Sequence, residues 1–147
     1  QKKHRLPHCV RKYYLIQKIR KICMKHCHDI LLADANEAFC GLLQESIALR
    51  ENYRVVRTKK GWDILRSVRE RQPALLIMDP DLPDVNGAEV MRELGRQKLA
   101  LRTIIISARV SNRLREEFFA LGAACYLPKP FSHKFLLRRM DHILGRS

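Results

Sequence analysis

The stretch Ala74-Leu75-Leu76-Ile77-Met78-Asp79, running on into Pro80-Asp81-Leu82-Pro83-Asp84-Val85-Asn86-Gly87, decides the fold. Five apolar residues in a row that end on an aspartate read as a strand buried on both faces, with a carboxylate at its C-terminal tip. The following loop is rich in proline and acid, the composition of a turn. Open α/β sheets build their sites at such tips. Taken alone, the segment fits an ordinary strand and a solvated turn equally well. What separates the two readings is what the chain places beside Asp79.

Working outward, strands and helices alternate from Asp29 onward. Ile30-Leu31-Leu32-Ala33-Asp34 is a short apolar strand that also ends on an aspartate, and Asn36 caps a helix running to about Arg50 through Phe39, Leu42, Leu43 and Ile47. Tyr53-Arg54-Val55-Val56-Arg57 is a more polar strand, suited to a sheet edge. Gly61 to Arg71 carries Trp62, Ile64, Leu65 and Val68 at helical spacing and is stopped by Pro73. After the Asp79 strand, Gly87 to Lys98 is a short amphipathic helix on Val90, Met91 and Leu94. Thr103-Ile104-Ile105-Ile106-Ser107 is a β-branched run suited to burial on both faces. Ser111 to Leu121 is the next helix, stopped by Gly122. Ala124-Cys125-Tyr126-Leu127 is the last strand, cut off by Pro128-Lys129-Pro130, and Ser132 caps the final helix.

Five strands alternating with five helices through short connections give an open, five-stranded parallel sheet wrapped by helices on both faces. Right-handed crossovers leave few topologies. Four of the strands end in Asp34, Asp79, Ser107 and, just past Tyr126, Lys129, so all four polar groups are expected at one end of the sheet.

The length of 147 residues is that of one domain with a core large enough to need no disulfide or metal. The net charge of +14 is uneven. Residues 1–28 hold nine Lys or Arg and no acid, leaving 20 basic against 15 acidic groups in the other 119 residues. The basicity therefore belongs to an N-terminal extension, 1–28, ahead of a domain at 29–147. Within the extension Val10, Tyr13, Tyr14, Ile16, Ile19, Ile22 and Cys23 recur at threes and fours between lysines and arginines, the pattern of a basic amphipathic helix. Packing is the expected role of its face, against this domain, a second copy or an upstream domain; an acidic membrane or nucleic acid is the alternative. Position 1 is glutamine, so the numbered chain reads as a processed product or an excised piece.

Five cysteines without regular spacing suggest a reducing, cytoplasmic compartment, and no run is long and apolar enough for a membrane span or a secretory signal. Cys23, His26, Cys27 and His28 cluster, yet no repeated Cys-x-x-Cys pair supports zinc. The six glycines form no Gly-x-Gly or Walker-type loop. Counting from Asp79, an EF-hand would need ligands where Pro83 and Val90 stand.

Two neighbouring carboxylates repel, and a shared proton or a divalent metal relieves them. A lysine adds a positive charge and a serine a hydroxyl donor. Together these suit a phosphoryl group, which metal and lysine neutralise, the hydroxyl binds and a carboxylate attacks.

Residues 29–145 resemble the receiver domain of bacterial two-component response regulators. The resemblance rests on Ile30 to Asn36 as the first acidic strand end, Asp79 with Leu82, Pro83, Asn86 and Gly87 as the phospho-acceptor loop, Ser107-Ala108 as the Ser/Thr-Ala signature, and Lys129-Pro130-Phe131. It implies a (βα)5 flavodoxin-like fold and a signalling role without enzyme activity of its own. Asp79 would be phosphorylated by a histidine kinase or phosphotransfer protein, with Ser107 and Lys129 contacting the phosphoryl group. Asp34, Asp79 and the Asp81 carbonyl would bind Mg2+, Tyr126 would turn inward on activation, and the Lys129–Pro130 bond would be cis. The signal would pass to a downstream protein, a missing output domain or a homodimer partner. One departure bears on the metal: the family has two acids where this chain has Asp34-Ala35, so a weakened Mg2+ site is expected. The alternative is a degenerate receiver that acts as a phosphate-independent interaction module.

Overall fold

Apolar runs without a polar break leave no face for water, and the sheet forms around them. In the computed structural model, which describes residues 7–24, 27–99 and 101–145, every residue of β3 (Leu75–Met78) and β4 (Thr103–Ser107) is buried. With β1 (His28–Ala33), β2 (Tyr53–Thr58) and β5 (Cys125–Pro128) they make one parallel sheet in the order β2-β1-β3-β4-β5. Its register sets Ala33 beside Met78, Met78 beside Ile105 and Ile105 beside Tyr126, so the strand ends line up along one rim. The more polar β2 takes an edge, as its composition suggests.

Side chains that alternate along each strand sort into two cores. Leu31, Leu76, Met78 and Ile105 face α3 (Gly61–Arg71), α4 (Gly87–Arg96) and α5 (Asn112–Ala120), meeting Ile64, Leu65, Val90, Leu94 and Phe118. Ile30, Leu32, Leu75, Ile77, Ile104 and Ile106 face α2 (Glu37–Ala48) and α6 (His133–Ile143), meeting Leu43, Ile47, Leu136 and Met140. The expected caps are in place: Asn36, Ser111 and Ser132 each accept a backbone N–H three residues on.

Boundaries shift by a residue or two. β1 begins at His28, β5 takes in Pro128, and Asp34 and Asp79 lie one step beyond their strands rather than within them. The N-terminal extension does form a helix, α1 (His8–Met24), but its apolar residues do not share one face. Tyr13, Tyr14, Leu15 and Ile16 are consecutive, and at about 3.6 residues per turn four in a row encircle the helix. Every side chain from Val10 to Lys18 is exposed, so none of them packs on this domain. Lys25 and His26 of the Cys23–His28 cluster lie outside the described residues. Cys27, Cys40 and Cys125 are free thiols.

Two close approaches shape the loop after β3. The first turn of α3 has no cap from Lys60, and Asp84 supplies one from across the loop, accepting Gly61 N–H at 2.7 Å and Trp62 N–H at 3.2 Å. Burial is the largest single influence on Asp84 and raises its pKa, yet the backbone amides of Gly61, Trp62, Asp84 and Val85 together outweigh it and hold the carboxyl below its usual value. At Gly87 an added Cβ would lie 2.7 Å from Pro80 Cα, a backbone atom that cannot step aside. Gly87→Ala is therefore expected to lower stability by about 1–3 kcal/mol, read as a lower urea midpoint with an unchanged slope.

Candidate functional site at the carboxyl end of the sheet

Asp34 and Asp79 leave adjacent strands side by side because β1 and β3 are in parallel register. Both are buried, and each is held by its own chain. Asp34 Oδ1 accepts the Asn36 amide at 2.8 Å and Asp79 Oδ1 accepts the Asp81 amide at 2.8 Å, the local turn expected of an aspartate past a strand end. The remaining oxygens turn to one ammonium. Lys129 Nζ donates to Asp34 Oδ2 at 2.7 Å and to Asp79 Oδ2 at 2.8 Å.

Lys129 reaches them from the end of β5, passing over β4. Its amide donates to Ser107 O at 2.7 Å, its bond to Pro130 is cis, and its ammonium lies 4.2 Å from the centre of the Phe39 ring. Phe131 stands edge-on to that ring at 5.9 Å. Beneath Asp34 the Cys40 thiol points at the Asp34 carbonyl, 3.6 Å away. Burial, helped by the charge of Asp34, pushes the thiol pKa up and keeps it a neutral donor. For Lys129 burial works against the charged form, but the hydrogen bonds from Asp34 and Asp79 prevail and raise its pKa above 10.5.

The other expected residues sit around this triad in different ways. Ser107 is fully buried at the end of β4, and its hydroxyl accepts the Arg109 amide at 3.1 Å. Tyr126 is turned inward, with its hydroxyl donating to Arg109 O at 2.9 Å. The Asp81 carboxylate points outward and is paired with the Arg109 guanidinium. Arg109, Asp84, Phe39 and Cys40 were not singled out by sequence reasoning. Only Asp84 carried a signal, as an acid in the loop after Asp79.

As a cation site the pair Asp34 and Asp79 offers hard carboxylate oxygens at the spacing of one shared ammonium, the donor chemistry Mg2+ requires. Ala35 contributes nothing, and among the described residues no three His, Cys, Asp or Glu side chains converge. The residues fit a two-carboxylate site completed by main-chain oxygen and water.

Comparison with known proteins agrees with this geometry. The family model described as response regulator receiver domain matches residues 30–141. The chain is 32% identical over 118 residues to the alkaline phosphatase synthesis transcriptional regulatory protein PhoP of Bacillus subtilis (strain 168), covering 80% of this chain and 49% of that protein. It thus spans about half the length of the curated relatives it matches. Among solved structures, the non-phosphorylated HemR receiver domain of Leptospira biflexa superposes with a TM-score of 0.73 at 28% identity, covering 82% of this chain and 96% of that one. The BeF3-activated DrrB receiver domain gives 0.72 at 25%, covering 82% and 99%. Receiver domains of this kind are in general non-enzymatic signal receivers that bind Mg2+.

Lys129 is what keeps two buried carboxylates compatible. Lys129→Met is expected to cost about 3–5 kcal/mol near neutral pH, because it leaves like charges buried without a counter-ion. A lysine whose pKa rises on folding contributes stability that is complete below its unfolded value and is lost as pH climbs through the folded one. Urea melts should show wild type keeping its advantage over Lys129→Met around neutral pH and losing it as pH climbs above about 10.5.

Proposed function

This chain belongs to the response regulator receiver family, and we propose that it acts there as a phosphorelay signal receiver with Asp79 as the phosphoryl acceptor. The observation that carries this reading is the convergence of Asp34 and Asp79 on Lys129 at 2.7 and 2.8 Å, on the carboxyl rim of a parallel sheet. Asp79 rather than Asp34 suits the role because it ends β3, the middle strand. It has the Asp34 carboxylate on one side and the Ser107 hydroxyl on the other. Its side chain is also the more open of the two, 12% against 5%.

In the transfer, a carboxylate oxygen of Asp79 attacks the phosphorus of a phosphohistidine on a histidine kinase or phosphotransfer protein. The O–P bond forms as the N–P bond breaks, and the leaving imidazole nitrogen keeps the electron pair and takes a proton from water. Lys129 remains to balance the new charge of about −1.5 to −2. The Ser107 hydroxyl leaves the Arg109 amide to donate to a phosphoryl oxygen. Asp34 and Asp79, with the Asp81 carbonyl, would hold Mg2+, which neutralises phosphoryl oxygens when bound. Ala35 makes this site weaker than one with two acids on the first loop.

The signal leaves through the loop after β4. Tyr126 is bonded to that loop, so a change at Ser107 is carried to the surface of α5, β5 and α6, where a downstream protein, an output domain or a second copy would read it. We assign residues 29–147 to the receiver, residues 1–28 to a separate extension, and the whole to the cytoplasm. Among the described residues no helix is long and apolar enough to cross a membrane. Ala35 favours a second reading, a receiver that works by protein contact without phosphate.

Incubation with a small acyl phosphate and Mg2+ decides between them. The expected result is a mass gain of one phosphoryl group, abolished by Asp79→Asn, with Ala35→Asp lowering the Mg2+ needed several-fold. No gain in a folded wild type, or a gain that survives Asp79→Asn, overturns the assignment.

A further inference from the structure

Three groups with separate roles in the site meet on one residue, Arg109. Its amide donates to Ser107 Oγ at 3.1 Å, and its carbonyl accepts the Tyr126 hydroxyl at 2.9 Å. Its guanidinium grips the Asp81 carboxylate with two nitrogens, Nε lying 3.1 Å from Oδ2. Asp81 in turn donates its own amide to Asp79 at 2.8 Å. A guanidinium therefore stands beside the Asp79 site, held there by Asp81, the residue two positions along the chain from the acceptor.

The charges of the rim say what it could do there. Before transfer Asp34 and Asp79 oppose Lys129, a net of about −1. After transfer Asp79 is an acyl phosphate, the phosphoryl group brings about −1.5 to −2, and the net becomes more negative. Ala35 leaves only a weak metal site to meet that excess. Two of the cations in the cleft beside Asp34 are engaged elsewhere, Lys59 with Glu37 and Arg57 with Gln44 and the Glu37 carbonyl. Arg109 is held only by an ion pair whose partners are both about half exposed, the kind that is close to neutral in free energy. A planar, five-donor fork suits phosphoryl oxygens better than a point charge does.

We propose that Arg109 binds the phosphoryl group itself. Its guanidinium leaves Asp81 for the phosphoryl oxygens and supplies part of the charge compensation that the missing acid would otherwise recruit through metal. The inference rests on Asp79 as acceptor. Because the Tyr126 hydroxyl holds the Arg109 carbonyl even when Ser107 turns to the phosphoryl group, the exchange is chiefly a side-chain rotation about a tethered main chain. The dianion at Asp79 and the hydroxyl of Tyr126 then share one residue.

Beryllofluoride, titrated into the full chain at low fixed Mg2+ and followed by fluorine NMR, tests this. Arg109→Ala is expected to weaken binding about tenfold, the scale of a lost charge-assisted hydrogen bond, and to raise the half-saturating Mg2+. Arg109→Lys should recover part of the loss. Thermal melts of the variants control for folding. Wild-type affinity and Mg2+ dependence in Arg109→Ala, with Asp79→Asn inactive, overturn the proposal for Arg109 alone. A folded wild type that binds no beryllofluoride overturns the Asp79 assignment and this inference together.

Discussion

The structure turns on one ammonium lodged between two buried carboxylates. Desolvation alone opposes burying any of the three charges, and two carboxylates side by side would repel. Lys129 resolves both costs at once, provided that β1, β3 and β5 end at the same height and that the chain after β5 swings over β4 to bring the lysine in. The sheet register supplies the first condition. The bond from Lys129 N–H to Ser107 O, with the Phe39 ring packed on the ammonium, supplies the second. A pocket so balanced would respond to any substituent that changes its charge.

Ala35 also bears on this balance. With Ala35 where an acid could stand, lysine and carboxylates come closer to neutrality than a three-acid rim would. On the function proposed above, such a site would depend less on a divalent ion and more on its own cations to hold a phosphoryl group. The same substitution that argues for a degenerate receiver therefore also gives a reason for an arginine at the rim.

Much of this was legible in the sequence because it is local or periodic. Ile104-Ile105-Ile106 announces a strand buried on both faces, and alternation sorts those residues between two cores without further information. The order of Asp34, Asp79, Ser107 and Lys129 at strand ends was enough to place them on one rim. What escaped was chosen by tertiary geometry. Arg109 finds Asp81 28 residues away, and Asp84 finds Gly61 across 23, with no spacing rule linking either pair. The outward turn of the Asp81 side chain follows from the first. The sidedness of α1 fails for the opposite reason: apolar residues do recur at threes and fours there, yet its Tyr13–Ile16 run fills every direction around the axis.

The cap that Asp84 provides for α3 has a consequence for motion. Because the first amides of that helix are satisfied by the acceptor loop and not by their own chain, the loop cannot lift without fraying the helix start, and the two open as one cooperative unit. Solvent deuterium at Gly61 and Trp62 would thus act as a clock for the departure of a loop more than twenty residues downstream, with a tryptophan already in place at the position that feels it.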